Sequence, residues 1–268
     1  MAPGFRRAHC RSILKITFLG TGTSHGVPMI GCDCATCHST DPKDRRQRTS
    51  VLIATDDGGR LLVDAGPDLR AQALAHDIRR LDAILFTHGH ADHILGLDEV
   101  RSYNIRQRRP MVCYADERTL SDIRRTFSYA FESKPQSAGW APEIELFAIV
   151  GPFCVGRQEV QPVKLIHGTR TILGYRLGSF AYLTDCSAIP DESWPLLEDL
   201  DVLVLDALRV KPHPTHFSLS EAIEATRRIA PRRAYFTHIA HDLLHATTSA
   251  DLPPGMELAY DGLVVECS

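Results

Sequence analysis

Residues 87–93 concentrate side chains that bind metal ions. The segment reads Thr-His-Gly-His-Ala-Asp-His and follows the apolar run 81–86, which predicts a buried strand. His88 and His90 are two residues apart on an extended backbone, so both side chains project to the same side and can bind one ion. Asp92 and His93 follow where the chain turns into a helix, and they can reach a second ion. A solvated polar loop is the alternative, but the density of ligands favours a site for two metal ions.

This segment resembles the His-x-His-x-Asp-His signature of the metallo-β-lactamase superfamily. The resemblance implies three further ligands in order along the chain: a histidine, a bridging aspartate and a last histidine, each near the end of a strand. The chain supplies them as His167, Asp185 and His238. The resemblance also implies an α/β fold of the αββα type, in which two mixed β-sheets are sandwiched between helices with the metal ions at one edge.

The resemblance also implies how the ligands are shared between two divalent ions. One ion would be bound by His88, His90 and His167, and the other by Asp92, His93 and His238, with Asp185 between them. Asp64, at the end of an earlier strand, would support the ligand loop through hydrogen bonds instead of binding metal. Nitrogen and carboxylate ligands accept manganese or zinc, so the sequence does not choose between these metals.

Three cysteines on one short loop predict a separate zinc site. Cys32, Cys34 and Cys37 lie within six residues, and clustered cysteines in a reducing cytoplasm bind metal more often than they form disulfides. Three thiolates do not complete a tetrahedral site, so a fourth ligand must come from elsewhere. His38 is adjacent but sterically cramped, and His241 is the better candidate. The alternative is that these three cysteines are free thiols.

The remaining cysteines are scattered along the chain and are predicted to be free thiols. They are Cys10, Cys113, Cys154, Cys186 and Cys267.

A finer resemblance is to the phosphoribosyl cyclic phosphodiesterases of the carbon–phosphorus lyase pathway. It rests on His216 and on short motifs spread along the chain, in residues 21–23, 26–28, 31–37, 45–47, 237–242 and 260–262. The resemblance implies that the three cysteines and His241 bind one structural zinc, and that His216 faces the phosphate. The sequence departs from that group in residues 23–25, 48–50 and much of 103–145, which would shape the substrate pocket.

Such an enzyme would open a small cyclic phosphodiester, of the phosphoribosyl or nucleotide type, to a monophosphate. A water shared by two cations loses a proton near neutral pH and can attack phosphorus, while the cations neutralise charge on the phosphoryl oxygens. His216 and Asp92 are the residues expected to take part in catalysis, His216 by stabilising charge or by protonating the leaving oxygen. Further contacts with the anionic substrate are expected from residues at the rim of the pocket: His25, Arg45, Arg46 and Arg48.

Other function classes fit part of the sequence. A thioesterase or lactonase of the same superfamily would share the metal ligands, and a catalytically silent nucleotide-binding metalloprotein would keep them without turnover. A β-lactamase usually lacks the pair seen here at Asp92 and His93, and a tRNA 3′-end endonuclease would need a long basic arm. Hydrolysis assays with a generic phosphodiester and with a thioester separate these classes.

Composition predicts a globular α/β protein with a small substrate. Its 268 residues, 44% of them hydrophobic, can bury about three quarters of the unfolded surface. We expect one domain over residues 13–268 after a loose tail, 1–12, which lacks the apolar core of a secretory signal. The net charge of −3 argues against long nucleic acid, and no apolar run approaches the ~20 residues of a membrane helix. We therefore expect a cytoplasmic protein with a small phosphorylated substrate and a nucleoside monophosphate as product or mimic. A homodimer is left open.

Strands and helices alternate along the chain, which is typical of an α/β fold. Apolar runs predict strands at 13–19, 50–55, 60–63, 81–86, 111–114, 144–149, 159–165, 171–177, 180–184, 201–206 and 233–237. Periodic patterns predict helices at 67–75, 97–105, 117–127 and 219–229, the last capped by Ser218 or Ser220. Residues 257–266 are predicted as a hairpin or strand and residues 133–140 as a loop. A lid within residues 103–145 is left open.

Overall fold

The computed structural model describes residues 13–132 and 141–268, which fold into strands, helices and the loops that connect them. The strands are β1 Leu14–Gly20, β2 Ser50–Thr55, β3 Arg60–Val63, β4 Ala83–Leu85, β5 Met111–Ala115, β6 Ile144–Ala148, β7 Phe153–Val155, β8 Gln158–His167, β9 Arg170–Leu177, β10 Phe180–Leu183, β11 Val202–Asp206, β12 Arg233–Thr237, β13 Met256–Leu258 and β14 Val264–Cys267. The α-helices are α1 Leu69–Ala75, α2 Ala91–Ile94, α3 Arg101–Gln107, α4 Glu117–Thr126, α5 Ser128–Phe131, α6 Leu219–Ile229 and α7 His245–Asp251. Short 3-10 helices span Pro42–Asp44, Leu97–Val100 and Asp191–Leu197. The predicted tail 1–12 and the predicted loop 133–140 lie outside the described residues.

The described strands form two mixed sheets of seven strands each. The order is β14-β1-β2-β3-β4-β5-β6 in the first sheet and β13-β12-β11-β10-β9-β8-β7 in the second. The strands from β3 to β6 run parallel in the first sheet, and those from β10 to β13 run parallel in the second. Because parallel strands bring their carboxyl ends to one edge, the connections that follow them are gathered at that edge.

Three apolar clusters define the layers of the fold. The central cluster joins buried side chains of both sheets, and the other two pack the outer face of each sheet against helices. Strand β2 illustrates the separation: Val51 and Ile53 belong to the central cluster, whereas Leu52 between them belongs to the outer cluster with α1, α3 and α4. This follows from the alternation of side chains along a strand. The αββα architecture predicted from the sequence is confirmed.

The helices are short and cover the outer faces of the sheets. The longest of those described, α6, has 11 residues and begins at a capping box, in which Ser218 and Glu221 each accept a hydrogen bond from the other residue's amide. Ser218, and not Ser220, is therefore the helix cap. Among the helices formed by residues 13–132 and 141–268, none combines the length and apolar character that a membrane crossing requires.

Most predicted elements are present, and several have the predicted bounds, namely β2, β3, β12 and α6. The predicted strand 81–86 is shorter, because the amide and carbonyl of Leu81 bond to the side chain of Gln107 instead of to a neighbouring strand. The predicted helix 97–105 begins as a 3-10 helix and becomes α3 at Arg101. Strand β7 and helix α7 are not predicted, since neither has a clear apolar period in the sequence.

The prediction of a hairpin or a single strand over residues 257–266 is wrong. β13 pairs with β12 in the second sheet, whereas β14 pairs with β1 in the first. Between them, the carboxylate of Asp261 accepts hydrogen bonds from the Thr21 hydroxyl and the Gln47 amide, both at 2.7 Å. These bonds hold the chain where it crosses from one sheet to the other. An alternating pattern is the same in either sheet, so the sequence could not reveal the crossing.

Hydrogen bonds between buried side chains join the two sheets close to the edge where the strands end. The Thr49 hydroxyl, just before β2, lies 3.0 Å from the Tyr182 hydroxyl of β10 and 3.0 Å from the Thr237 hydroxyl of β12. Gly22 fits against the same segment, and a Cβ atom there would stand 2.7 Å from the Arg46 carbonyl oxygen. The relative position of the sheets is thus fixed by side-chain bonds as well as by apolar packing.

Arg46 borders the same cavity as Arg45 and Arg48, but it is only 2% exposed and its side chain lies between two segments distant in sequence. Its side chain donates to the carbonyls of Ala240 at 2.9 Å and Leu243 at 2.7 Å, and to the Asp44 carboxylate at 3.0 Å. Asp44 also accepts from the amide of His245 at 2.8 Å. Burial lowers the pKa of the Arg46 guanidinium, and Asp44 opposes that shift. The predicted contact of Arg46 with substrate is therefore wrong, because its terminal donors already serve buried acceptors.

Replacing Arg46 by methionine should lower the free energy of unfolding by about 3–5 kcal/mol, because the change leaves a buried carboxylate without its partner. Urea denaturation at a fixed metal concentration measures the loss. Arg45→Met is the matched control, since Arg45 is exposed and, among the described residues, its side chain donates only a long hydrogen bond of 3.4 Å to the Ser39 carbonyl. That variant should change the free energy by less than about 0.5 kcal/mol. Equal losses in the two variants would contradict the structural role of Arg46.

Candidate metal centre

The predicted metal ligands meet at the edge where strands of both sheets end. In the first sheet, β3 ends before Asp64, and β4 leads into the loop that carries His88, His90, Asp92 and His93. In the second sheet, the ends of β8, β10, β11 and β12 supply His167, Asp185, Asp206 and His238. The site is therefore built from strand ends, as the carboxyl edge of an α/β sheet predicts.

Three of these residues adopt an unusual backbone conformation. The φ angles of Asp64, Asp185 and His238 are 63°, 59° and 58°, in the left-handed region that residues other than glycine rarely occupy. Each residue directly follows a strand or stands two positions beyond one, where the backbone must turn sharply to present a side chain at the edge. Such strain is typical of functional sites and persists only where the surrounding structure enforces it.

The ligand atoms form two adjoining sets. The first set is His88, His90 and His167, and the second is Asp92, His93, Asp185 and His238; within each set the candidate ligand atoms lie within 4.8 Å of one another. Asp185 lies between the sets: its carboxylate oxygens are 3.9 Å from His88 Nε2, 3.3 Å from His93 Nε2 and 3.2 Å from His238 Nε2. A single carboxylate in this position can bridge two ions.

In three imidazoles of these sets, the Nε2 atom is buried without any hydrogen-bond partner among the described residues. The three residues are His88, His93 and His238. A buried polar atom normally finds a partner, because its desolvation is otherwise uncompensated. Metal ions would satisfy all three nitrogens, so the donor set fits divalent cations.

The other nitrogen of several imidazoles is bonded to a protein oxygen, which fixes the orientation of each ring. His93 Nδ1 lies 2.7 Å from the Asp64 carboxylate, which also accepts from the amide and hydroxyl of Thr87. His167 Nδ1 donates to the Thr215 carbonyl at 2.8 Å. In both residues Nε2 is left for a ligand bond, which is the usual arrangement around metal-binding histidines.

The pKa values of the ligand histidines depend on burial and on the nearby carboxylates. Burial alone would lower the pKa of His93, but the carboxylates of Asp185, Asp92 and Asp64 raise it well above its usual value. Burial also lowers the pKa of His88, where no carboxylate compensates fully. A metal ion competes with a proton for the same nitrogen, so metal binding at His93 should release that proton.

Two residues form a hydrogen-bonded pair beside the second ligand set. His216 Nδ1 lies 2.9 Å from the Asp206 carboxylate, and the His216 ring stacks on the ring of His238 with centroids 4.7 Å apart. Asp206 is fully buried, and its other oxygen is 3.7 Å from His238 Nδ1. In the sequence, Asp206 is recognisable only as the last residue of the predicted strand 201–206. Its position at a strand end, like that of Asp64 and Asp185, is the signal for a larger role.

The cysteine loop meets His241 next to the last strand end. His241 Nδ1 is 3.1 Å from Cys32 Sγ, 3.4 Å from Cys34 Sγ and 3.6 Å from Cys37 Sγ. Ligands bonded tetrahedrally to zinc at about 2.3 Å for sulfur and 2.0 Å for nitrogen stand about 3.5 Å apart, so the spacing fits zinc. The amide of Cys37 lowers the pKa of the Cys34 thiol to about 6, and burial raises the pKa of Cys37 to about 11. His38 lies outside this group of ligand atoms.

The residues predicted at the rim differ in their surroundings. His25 is exposed and lines a cavity of about 240 Å³ together with His216 and His241. Arg45 and Arg48 line a neighbouring cavity of about 420 Å³, but Arg48 Nη1 is 3.3 Å from the Asp68 carboxylate and so is already paired. The sequence did not identify Arg209 or Arg170 as rim residues. Arg209 lines the first cavity, and Arg170 Nη1 is 3.5 Å from His90 Nε2.

Comparisons with known proteins agree with this geometry. The family model described as Beta-lactamase superfamily domain matches residues 59–239. The crystal structure of a diphosphatase from the PhnP family has 45% sequence identity and a TM-score of 0.89, and the match covers 96% of this chain and 99% of that chain. Zinc-bound PqqB from Methylobacterium extorquens, at 20% identity and a TM-score of 0.76, covers 94% of this chain and 99% of that chain and supports the fold alone.

A longer curated relative is also similar. The octanoyltransferase of Porphyromonas gingivalis (strain ATCC BAA-308 / W83) is 39% identical over 254 residues, which are 93% of this chain and 51% of that protein. This chain therefore spans about half the length of that relative. The family match over residues 59–239, the diphosphatase that matches nearly end to end and the ligand geometry all agree. The chain belongs to the metallo-β-lactamase superfamily.

Proposed function

We propose that the protein is a phosphoesterase that uses two divalent metal ions to hydrolyse a small phosphodiester, of the cyclic phosphoribosyl or nucleotide type, to a monophosphate. The observation that carries the proposal is the pair of adjoining ligand sets with Asp185 between them and buried imidazole nitrogens that lack partners among the described residues. Two adjoining sets of nitrogen and carboxylate ligands would hold two cations, and such a pair would suit displacement at phosphorus.

The protein's own residues would bind and orient the two ions. His88, His90 and His167 would bind the first ion, and Asp92, His93 and His238 the second, with Asp185 between them. When bound, the ions make water acidic enough to act as a nucleophile near neutral pH and neutralise phosphoryl charge. Asp64 and the Thr215 carbonyl hold the rings of His93 and His167 so that Nε2 is the ligand atom. Manganese and zinc both suit this donor set.

His216 would act on the oxygen that leaves phosphorus. Its Nδ1 is bonded to Asp206, and burial raises the pKa of the Asp206 carboxyl. Burial also lowers the pKa of His216, which favours the neutral ring. When the Asp206 carboxyl is protonated, it donates to Nδ1, and Nε2 of the neutral ring then carries the N–H group. This N–H can stabilise charge on the leaving oxygen or protonate it. Asp92, the other residue expected in catalysis, would contribute as a ligand.

Cys32, Cys34, Cys37 and His241 would bind one structural zinc. Their sulfur and nitrogen atoms have the spacing of a tetrahedral site. The site would link the early loop to the segment just after His238, the same two regions that Arg46 joins through the carbonyls of Ala240 and Leu243. The zinc would therefore brace a ligand of the catalytic centre without touching the substrate.

A diphosphatase is the second candidate. The PhnP-family protein with 45% identity is described as a diphosphatase, and it matches this chain nearly end to end. Attack of water on phosphorus is common to both reactions, which differ in the leaving group: an alkoxide from a phosphodiester and a phosphate from a diphosphate. The same ligands and the same donor, His216, would serve either reaction. In both cases a nucleoside monophosphate is proposed to bind as a product or mimic.

Acyl chemistry is supported less well. The octanoyltransferase relative is about twice as long as the matched segment, so its named activity is not transferred to this chain. A thioesterase or lactonase would use the same ligand sets, but the rim carries the cations Arg45 and Arg209, which suit a phosphorylated substrate. The net charge of −3 is a further argument for a small substrate over long nucleic acid.

Metal analysis of protein purified without chelator should give close to three ions per chain, because the two ligand sets and the cysteine cluster cannot share a centre. Cys34→Ser should lose about one ion, since it removes one of the four ligands from the cysteine site. Cys154→Ser is the matched control, because Cys154 is exposed and lies outside the clusters. One ion per chain, with no loss in Cys34→Ser, would contradict both assignments.

His216→Ala should lower phosphodiester turnover by about two to four orders of magnitude, the usual contribution of a positioned proton donor, with metal content intact. His213→Ala is the control: its ring lies 5.3 Å from that of His216, but it does not form the bond to Asp206. A cyclic phosphodiester, a dinucleoside diphosphate and a thioester are assayed in parallel with added manganese. Full activity in His216→Ala, or faster thioester hydrolysis by the wild type, would count against the proposal.

A further inference from the structure

Arg170 lies at the mouth of the metal centre on the turn between β8 and β9. His167 ends β8 and pairs with Arg170 across this turn, so the turn that brings a ligand to the site also carries the arginine. Arg170 Nη1 is 3.5 Å from Nε2 of His90, and the side chain is exposed. This separation is long for a hydrogen bond, so the interaction is weak. It shows, however, that the guanidinium lies close to a candidate ligand atom.

Arg170 differs from Arg48 and Arg209 in that its guanidinium lies next to a candidate metal ligand, Nε2 of His90. Arg48 is paired with the Asp68 carboxylate at 3.3 Å, and Arg209 donates to the carbonyls of Lys211 and Pro212. Among residues 13–132 and 141–268, no carboxylate forms an ion pair with Arg170. The guanidinium is therefore a cation at the rim whose charge is not neutralised by the described part of the protein.

The contact with His90 cannot survive metal binding. Nε2 of a neutral imidazole has one acceptor lone pair, which can serve either an N–H donor or a metal ion. If His90 binds a metal ion through Nε2, Arg170 loses its acceptor, and its positive charge would lie close to that ion. Like charges at such short range repel, and an anion between them removes the repulsion. A phosphoryl oxygen is the anion that the proposed reaction brings there.

We infer that Arg170 is a substrate-binding residue that donates to a non-bridging oxygen of the substrate's phosphoryl group. The inference rests on the proposed phosphoesterase function and deepens it by naming a cation that recognises phosphate without binding metal. The planar guanidinium matches the oxygens of a phosphoryl group and can donate two bonds to them. Arg170 then selects phosphorylated substrates over thioesters, which present no anionic oxygen at the reacting atom.

Calorimetric titration of the metal-loaded protein with inorganic phosphate and with adenosine monophosphate tests the inference. The wild type should bind both ligands, and Arg170→Ala should bind them about 10–100-fold more weakly, the range expected for a lost charge-assisted bond. Arg170→Lys keeps the charge but loses the planar guanidinium, so its affinity for both ligands should lie between those of the wild type and Arg170→Ala. Metal content and melting temperature should be unchanged in both variants, because Arg170 is exposed.

Arg157→Ala is the matched control. Arg157 is an exposed arginine on the turn at the opposite end of β8, so the variant makes the same change in net charge far from the metal centre. Unchanged affinity in Arg170→Ala, an equal loss in Arg157→Ala, or a loss of metal in Arg170→Ala would each overturn the inference and leave the proposed function standing. Absence of phosphate binding and of phosphodiester hydrolysis in the wild type would overturn both.

Discussion

The position of one carboxylate, that of Asp185, constrains the rest of the structure. It comes from the second sheet, yet it must stand within about 4 Å of His88 and His93, which follow a strand of the first. The two sheets therefore have to be held in a fixed relative position at this edge. Apolar packing alone tolerates larger shifts, since it has little directional preference. The hydrogen bonds of Thr49, Arg46 and Asp261 are directional and fix this position, because each joins segments from different halves of the chain.

The metal centre is also a place where the protein departs from its lowest-energy local conformation. The left-handed backbone at Asp64, Asp185 and His238 costs on the order of 1–3 kcal/mol at each position. Isolated imidazole nitrogens in the same site add a desolvation cost. The packing of the two sheets offsets both costs. The left-handed backbone also fixes the direction in which each of the three side chains points. Stability and ligand geometry are therefore opposed at this edge of the fold.

The sequence predicts those parts of the protein that depend on local pattern. Strands β2, β3 and β12 and helix α6 have the predicted bounds because their apolar periods and the Ser218 cap are local signals. The concentration of ligands in residues 87–93 is local in the same sense. Arg46 was misplaced because a charged residue in a charged run predicts exposure, and only the fold brings the carbonyls of Ala240 and Leu243 to it. The role of Asp206 and the crossing of residues 257–266 between sheets likewise depend on contacts distant in sequence.

The pairing of β14 with β1 has a consequence for the biosynthesis of the protein. Strand β1 leaves the ribosome early, but the strand that covers one of its edges, Val264–Cys267, is among the last described residues to be made. Until then the first sheet presents an open edge, which is prone to pairing with other chains. The ligand set of the cysteine loop is likewise incomplete until His241 is synthesised, 209 residues after Cys32. Metal loading is therefore expected as a late step, after translation of nearly the whole described chain, and the nascent chain depends on protection of its edge and its thiols in the meantime.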